Sequence, residues 1–524
     1  MRKLEWCRLS FPAGYLATET SSQDNIALQS ITVRFEQESF SRSPRRIAFW
    51  LFAVFQFFYL LTSSGRVRTP DEYNTLYTTE SLVLHGTTAV PQAVALHNFY
   101  GRLDVHGQPR AAYPPGQALL CAPWYALGQY VIGKLPGVPA DDLDLVVAFT
   151  SCLSSSTFAA LTLMFFFLLL IGVGIPVRAA LMASGMVGLA TPLFVYSAYL
   201  FSEPLTSSIF AGVAWLLFVR ESSGGLISAR RAAIAGLILG LATIVRPTCV
   251  VAIAVFALAV LVRDGKSGWR AAFVLGAASA AGIAVLFAHN TVLFGGPLTF
   301  GYPTTAEGAK KLNGFETPFF QGLYGFLLSP GKSVFLFAPV IVLAFLGLRS
   351  LWRRERGLAA VAVMLPAAYL LFFAKYTQWE GGYSVGPRYL VPGIVLLCLG
   401  LGPVLATGRR GVKVLAAVLF AIGFSVQSLS LATSFMEDQV PRGHYYDANW
   451  NYQMAYSLGG PVRLFFKYLG SGQPAKLGLG WDRWFVFLAK GGVSWGTLAF
   501  LGCLLVVGLT GSLVGLVRSV RRTR

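Results

Sequence analysis

The chain has 524 residues, of which 55% are hydrophobic and only 12% charged, whereas a soluble domain is usually about a quarter charged. A bilayer can hide that much apolar surface and a water-soluble core cannot. The formal net charge of +19 does not mark a nucleic-acid binder, because the basic residues sit in short loops between apolar runs, and the six cysteines show neither a CxxC pair nor zinc-ligand spacing.

Residues 1–46 are polar and end in Arg42, Arg45 and Arg46, directly before the first apolar run. A cleavable signal peptide carries its apolar region much nearer the start, so a cytoplasmic N-terminal tail and an uncleaved signal anchor are expected. Apolar runs then follow at Ile47–Thr62, Leu145–Val173, Ala179–Phe194, Leu205–Phe218, Ala232–Val245, Thr248–Val262, Ala271–Leu293, Ser333–Leu348, Leu358–Phe373, Leu390–Leu405, Val414–Ala432 and Gly491–Leu516. With flanks each approaches about 20 residues. The expectation is an all-α polytopic transmembrane protein with roughly twelve spans. The weakest pair flanks Arg246-Pro247.

Loop charge sets the orientation. One set of loops carries Arg220, Arg230, Arg231, Arg263, Lys266, Arg270, the arginines at 349, 353, 354 and 356, Arg409, Arg410, Lys413 and the C-terminal arginines, with Glu221, Asp264 and Glu355 as its only acids. The alternate loops hold about fifteen acids. The basic loops are therefore expected inside, with both termini cytoplasmic, and the acids and long loops outside. The longest outer loop is residues 64–144. The apolar Gly116–Gly133 stretch within it reads as a helix lying on the outer interface, because a crossing there would break the charge pattern.

That loop opens with Thr69-Pro70-Asp71-Glu72. It is a good helix start: Thr69 can cap, Pro70 suits the first position, Glu72 sits three residues after the cap, and Asp71 favours the helix dipole. Tyr73, Leu76, Tyr77, Val83 and Leu84 then fall on one stripe. Capping alone accounts for both acids as well as chemistry does.

The stretch "TPDEYNTLYTTESLVLHGTTAVPQ" followed by "AAYPPGQALLCAPWYALG" resembles the first outer loop of the C-type (GT-C) membrane glycosyltransferase superfamily. That group includes the protein O-mannosyltransferases and the aminoarabinose transferases of lipid A. Its pattern is an Asp-Glu pair after the first span, a helix with aromatic and acidic positions ending in Gly, and a Pro-Pro stretch opening an interfacial helix. Here these are Asp71-Glu72, Tyr77, Glu80, Gly86 and Tyr113-Pro114-Pro115. "YSAYLFSEPL" and "LATIVRPT" are further matches. "FGGPLTFGY", "GLYGFLLSPGKSVFLFAP" and "QWEGGYSVGPRYLVPG" resemble a mostly uncharacterised bacterial branch of the superfamily. The resemblance covers most of residues 47–433, the expected catalytic module. It leaves residues 434–490 as an outer loop of unknown role and 491–524 as a last span with a basic tail.

The resemblance implies an enzyme of the cell envelope that takes a sugar from a polyprenyl-phosphate donor. It passes the sugar to a lipid, glycan or protein acceptor on the extracytoplasmic face, and direct displacement at the anomeric carbon with one base implies inversion. Such chemistry needs a base near the acceptor hydroxyl and cations near the leaving phosphate. By resemblance Asp71 is the base and Glu72 its partner. Arg388 follows Gly386-Pro387 at the start of a span, where the helix dipole disfavours a cation without an anion nearby. That anion is a phosphate or Glu380. Arg246 is the second phosphate candidate or a snorkelling arginine, and Lys332 and Lys375 are weaker ones. Tyr77, Tyr113, Glu203, Glu380 and Tyr389 are candidate substrate contacts, with helix capping the alternative for Glu203. The aromatic run from His444 to Tyr456 reads as a sugar-stacking surface or an interfacial belt.

"SPGKS" is not a nucleotide-binding P-loop, since Phe326 stands where the first glycine belongs. No metal ligands or cofactor are expected. Some superfamily members use a divalent cation, but no residues here argue for one. The rival reading is a transporter or flippase for lipid-linked saccharides, or a non-catalytic binder of them. A transporter calls for charges near the bilayer midplane, whereas here charges cluster at span ends.

Overall fold

The computed structural model describes residues 44–97, 99–219, 225–302, 314–434, 459–471 and 483–523. The aromatic run at 444–456 and most of the N-terminal tail lie outside the described residues. Helices α1 (Pro44–Thr62), α2 (Pro70–His85), α3 (Gly116–Tyr130), α4 (Leu143–Gly172), α5 (Val177–Ala190) and α6 (Glu203–Phe218) come first. There follow α7 (Ala229–Val245), α8 (Cys249–Asp264), α9 (Trp269–Phe294), α10 (Phe319–Leu328), α11 (Ile341–Arg354) and α12 (Arg356–Lys375). The last are α13 (Arg388–Ala406), α14 (Arg410–Ala432), α15 (Gly459–Ser471), α16 (Trp484–Lys490) and α17 (Trp495–Arg521).

Helix forms on every one of the twelve apolar runs, but the runs are not twelve full spans. Among the described residues, seven helical stretches are long and apolar enough to cross a membrane, judged by length and composition, and one of them joins α8 and α9. The helices α5, α6, α7 and α11 have 14, 16, 17 and 14 residues. At 1.5 Å per residue these reach about 21–26 Å, short of a hydrocarbon core of about 30 Å. Prolines at or just beyond their ends stop three of them early: Pro192 after α5, Pro204 in the first turn of α6 and Pro247 after α7.

The expectation of an all-α chain is corrected by a hairpin in the first long loop. Strands β1 (Gly101–Leu103) and β2 (Pro109–Ala111) pair antiparallel. Asp104 closes the turn, accepting from the backbone N–H of His106 at 2.8 Å and of Gln108 at 2.9 Å, while Arg110 Nε donates to its other oxygen at 2.7 Å. The fold is therefore mostly helical rather than purely so.

Small residues set the closest helix packing, as expected where apolar lipid gives helices little hydrophobic reason to associate. Helices α7 and α9 meet at Gly236, Gly240, Ser279 and Gly282. A Cβ on Gly240 would lie 2.3 Å from the carbonyl oxygen of Ser279, and Ser279 Oγ donates to Gly236 O at 2.9 Å. Helix α13 is almost wholly buried, and α17 is largely exposed at the periphery.

Between α5 and α6 the chain is buried and, apart from one helical turn at Leu193–Tyr196, irregular. Such backbone is tolerated at membrane depth only where protein satisfies it. Here Ser156 Oγ donates to Ser197 O at 2.8 Å, Ser64 Oγ to Ala198 O at 3.0 Å, and Gln117 Nε2 to Leu200 O at 3.3 Å. Tyr196 in turn donates its hydroxyl to Val385 O at 2.7 Å. The segment thus ties together α1, α3, α4 and the loop preceding α13, and it frames the site.

Candidate active site

Helix α2 starts as its sequence dictates. Thr69 accepts from the Glu72 N–H, Glu72 reaches back to the Thr69 N–H, and Pro70 fills the first turn. Glu72 is completely buried. It accepts from the N–H groups of Arg68, Thr69 and Leu200, each at 3.1 Å. Burial pushes its carboxyl above the ordinary range, and the Arg68 charge and these N–H groups draw it back. Glu72 therefore pins the start of α2 to the buried 193–202 segment and does not line the cavity beside it. The expected hydrophobic stripe of α2 is also revised. Leu76 and Tyr77 are buried and Leu84 is exposed, but the buried face includes Asn74, Thr75, Thr78, Thr79 and Ser81.

That face borders a cavity of about 270 Å³. In its lining Asp71 receives a hydrogen bond from the Tyr113 hydroxyl on one oxygen and from Arg388 Nη1 on the other. Arg388 Nε donates to Glu203 Oε1 at 2.8 Å, and Arg246 Nη1 donates to the same oxygen at 2.8 Å. Two carboxylates and two guanidiniums thus form one chain of charge, Asp71–Arg388–Glu203–Arg246. Its outer carboxylate, Asp71, keeps about a fifth of its side chain accessible, while Glu203 is wholly buried. Aromatic rings hold the cations in place. The Arg388 guanidinium lies 4.2 Å from the Phe201 ring centroid and that of Arg246 lies 5.0 Å from Tyr389. Tyr389 itself stacks on Phe373, with centroids 4.3 Å apart.

The loop before α13 aims Arg388. Gly386 has φ +59° and would press a Cβ within 2.7 Å of the Phe337 ring, so only glycine fits. Gly381 offers its carbonyl to Arg388 Nη1 at 3.3 Å. The anions facing Arg388 are thus Asp71 and Glu203, where Glu380 had been the expected protein partner. Burial raises the carboxyl of Glu380 and lowers the ammonium of Lys332, and their mutual attraction opposes both shifts. Lys332 is 1% exposed and donates to the Ser384 carbonyl and hydroxyl, both at 3.0 Å. This holds together the loop that carries Arg388.

The structure thus brings Asp71, Tyr113, Arg246, Arg388 and Tyr389 to one cavity, and Glu203 reaches it through the two arginines. Glu72, Lys332 and Glu380 do not line it. Tyr77 packs with Val90 and Ala93 and stacks on Tyr73, and Lys375 is exposed at the end of α12. Sequence reasoning passed over Asn74, Thr78, Gln117, Phe201 and Tyr302, which all line the cavity. Three-, four- and seven-residue steps from Asp71 along α2 would have found the first two. Tyr113 is half-buried beside a carboxylate, and desolvation and that charge push its phenol well above the usual range, so it stays a donor to Asp71. Among the described residues no group of three or more His, Cys, Asp or Glu side chains could hold a metal ion.

No family model matches the chain, and no curated protein matches it. Among solved structures it is similar to the crystal structure of ArnT from Cupriavidus metallidurans bound to undecaprenyl phosphate, with TM-score 0.45 and 15% identity, over 89% of this chain and 75% of that one. It is likewise similar to ArnT from the same organism in the apo state, with TM-score 0.45 and 14% identity, over 93% of this chain and 77% of that one.

Proposed function

We propose that this chain is a polytopic membrane glycosyltransferase that moves a sugar from a polyprenyl-phosphate donor to an acceptor on the extracytoplasmic face. The observation that carries this reading is the carboxylate Asp71, which keeps about a fifth of its side chain accessible in a cavity that Arg246, Arg388 and several aromatic side chains also line. A phosphate is met by two guanidiniums, and the aromatic and apolar side chains of Phe300, Phe315, Phe372 and Tyr389 suit the first isoprene units. The topology that fits keeps the basic loops and both termini cytoplasmic, with about twelve helices crossing or partly crossing the bilayer.

In the reaction the acceptor oxygen attacks the anomeric carbon and passes its proton to Asp71. The bond from the anomeric carbon to the phosphate oxygen breaks, and its electron pair leaves with the polyprenyl phosphate. Arg388 and Arg246 neutralise the charge that builds on the leaving oxygen. One displacement inverts the anomeric centre. Asp71 is engaged by Arg388 and Tyr113 until a donor arrives. The donor phosphate then competes for Arg388, which frees one carboxylate oxygen to act as base.

The test is to incubate the purified protein with radiolabelled polyprenyl-phosphate sugars and follow the release of polyprenyl phosphate and the anomeric form of the product. Turnover with inversion supports the reading. Donor that is bound and returned unchanged under all acceptors tried would favour the transporter or binder instead.

A further inference from the structure

Asp71, Asn74, Thr75 and Thr78 occupy positions i, i+3, i+4 and i+7 of α2 and all line the cavity. Gln117, from α3, lines it as well. Asn74 and Thr78 are only 2% and 4% exposed, yet Asn74 Nδ2 and Thr78 Oγ1 have no hydrogen-bond partner among the described residues. Burying an amide or hydroxyl unmatched is destabilising, and native proteins rarely do it without a reason. Thr75 and Gln117 are already oriented, Thr75 Oγ1 by the Asp71 carbonyl at 3.2 Å and Gln117 Nε2 by Leu200 O at 3.3 Å.

These groups are neutral donors and acceptors. Among the described residues, the charged side chains lining the cavity are Asp71, Arg246 and Arg388. Arg110, in a small recess behind Thr78, is already committed to Asp104 at 2.7 Å and Thr88 at 2.8 Å. With Asp71 serving as the base and the two arginines meeting the phosphate, a sugar ammonium or carboxylate lying on α2 would be desolvated without a further counter-charge, whereas sugar hydroxyls would satisfy the unmatched groups. We propose that Asn74, Thr78 and Gln117 form a hydroxyl-recognition subsite for an uncharged sugar, so that the donor is a neutral glycosyl polyprenyl phosphate rather than an amino sugar or a uronic acid. The proposal rests on the donor site inferred above.

The experiment compares purified wild type, Asn74→Ala, Thr78→Val and Thr78→Ser on polyprenyl-phosphate donors carrying a neutral hexose, a neutral pentose, an amino sugar or a uronic acid. Binding of sugar-free polyprenyl phosphate is measured in parallel by thermal shift. A neutral donor is expected to be preferred at least tenfold in kcat/KM. Asn74→Ala and Thr78→Val should each raise its KM about five- to tenfold, the worth of one hydrogen bond. Thr78→Ser should recover most of the loss, and affinity for polyprenyl phosphate should not change. A preferred amino or uronic donor, or wild-type KM in both Asn74→Ala and Thr78→Val, would overturn the subsite while leaving the phosphate site intact. Failure of the wild type to bind polyprenyl phosphate would instead overturn the donor reading, and the subsite with it.

Discussion

Asp71 and Arg388, 317 positions apart, form an ion pair in the lining of the cavity, and Arg388 carries the link onward to Glu203. The arginine uses Nη1 for one carboxylate and Nε for the other. A guanidinium has donors on two edges and can do this, while an ammonium is a point charge.

Arg388→Lys should therefore keep the charge and lose the bridge. The expected result is a fall in kcat/KM of roughly 10- to 100-fold, about 1.4–2.7 kcal/mol of lost transition-state stabilisation. Arg388→Gln should fall further and unfold more readily, since it leaves Glu203 and Asp71 short of a cation. Steady-state kinetics on a polyprenyl-phosphate sugar, with melting temperatures in parallel, check both. Wild-type kinetics in the lysine variant would contradict the bridging role.

Glu72→Ala removes the capping box and the acceptor for the Leu200 N–H. The expected cost is roughly 1–3 kcal/mol of stability. Any effect on activity should track the loss of folded protein, with an unchanged pH profile. A soluble, fully stable Glu72→Ala protein with abolished turnover would instead give Glu72 a chemical role.

The Lys332 and Glu380 shifts set a pH dependence. Glu380 moves up from 4.5 to about 7, so between those values the folded state holds a proton that the unfolded state has lost, and stability falls as pH rises. Lys332 moves down from 10.5 to about 7, so above 7 the unfolded state binds the extra proton and stability rises with pH. The two contributions together predict a minimum in melting temperature near neutral pH. The double variant Lys332→Met with Glu380→Gln should flatten it. A minimum that survives the double variant would assign it to other groups.

Much of the fold was legible because hydrophobic runs and caps are local signals. Helix formed on every apolar run, and the Thr69–Glu72 capping box lies where the spacing put it. What was not legible was long-range. Four runs make helices too short to cross by length alone, because the chain breaks at Pro192, Pro204 and Pro247 and at the irregular turn before Ile341. The partners of Arg388 come from α2 and α6, and nothing in the local sequence says that those helix starts meet. The polar face of α2 was overlooked because its aromatic and aliphatic residues suggested an amphipathic interfacial helix, whereas Asn74, Thr75 and Thr78 line a cavity.

The central claim is that Asp71 takes the acceptor proton. The most direct test measures transfer from a polyprenyl-phosphate sugar by wild type and by Asp71→Asn, which preserves size and hydrogen bonding while removing the basic oxygen. With melting temperatures matched, the account predicts a loss in kcat of roughly 10²- to 10⁴-fold with polyprenyl-phosphate binding retained. Equal turnover by the two proteins would contradict it and leave Asp71 as the partner that holds Arg388 in place.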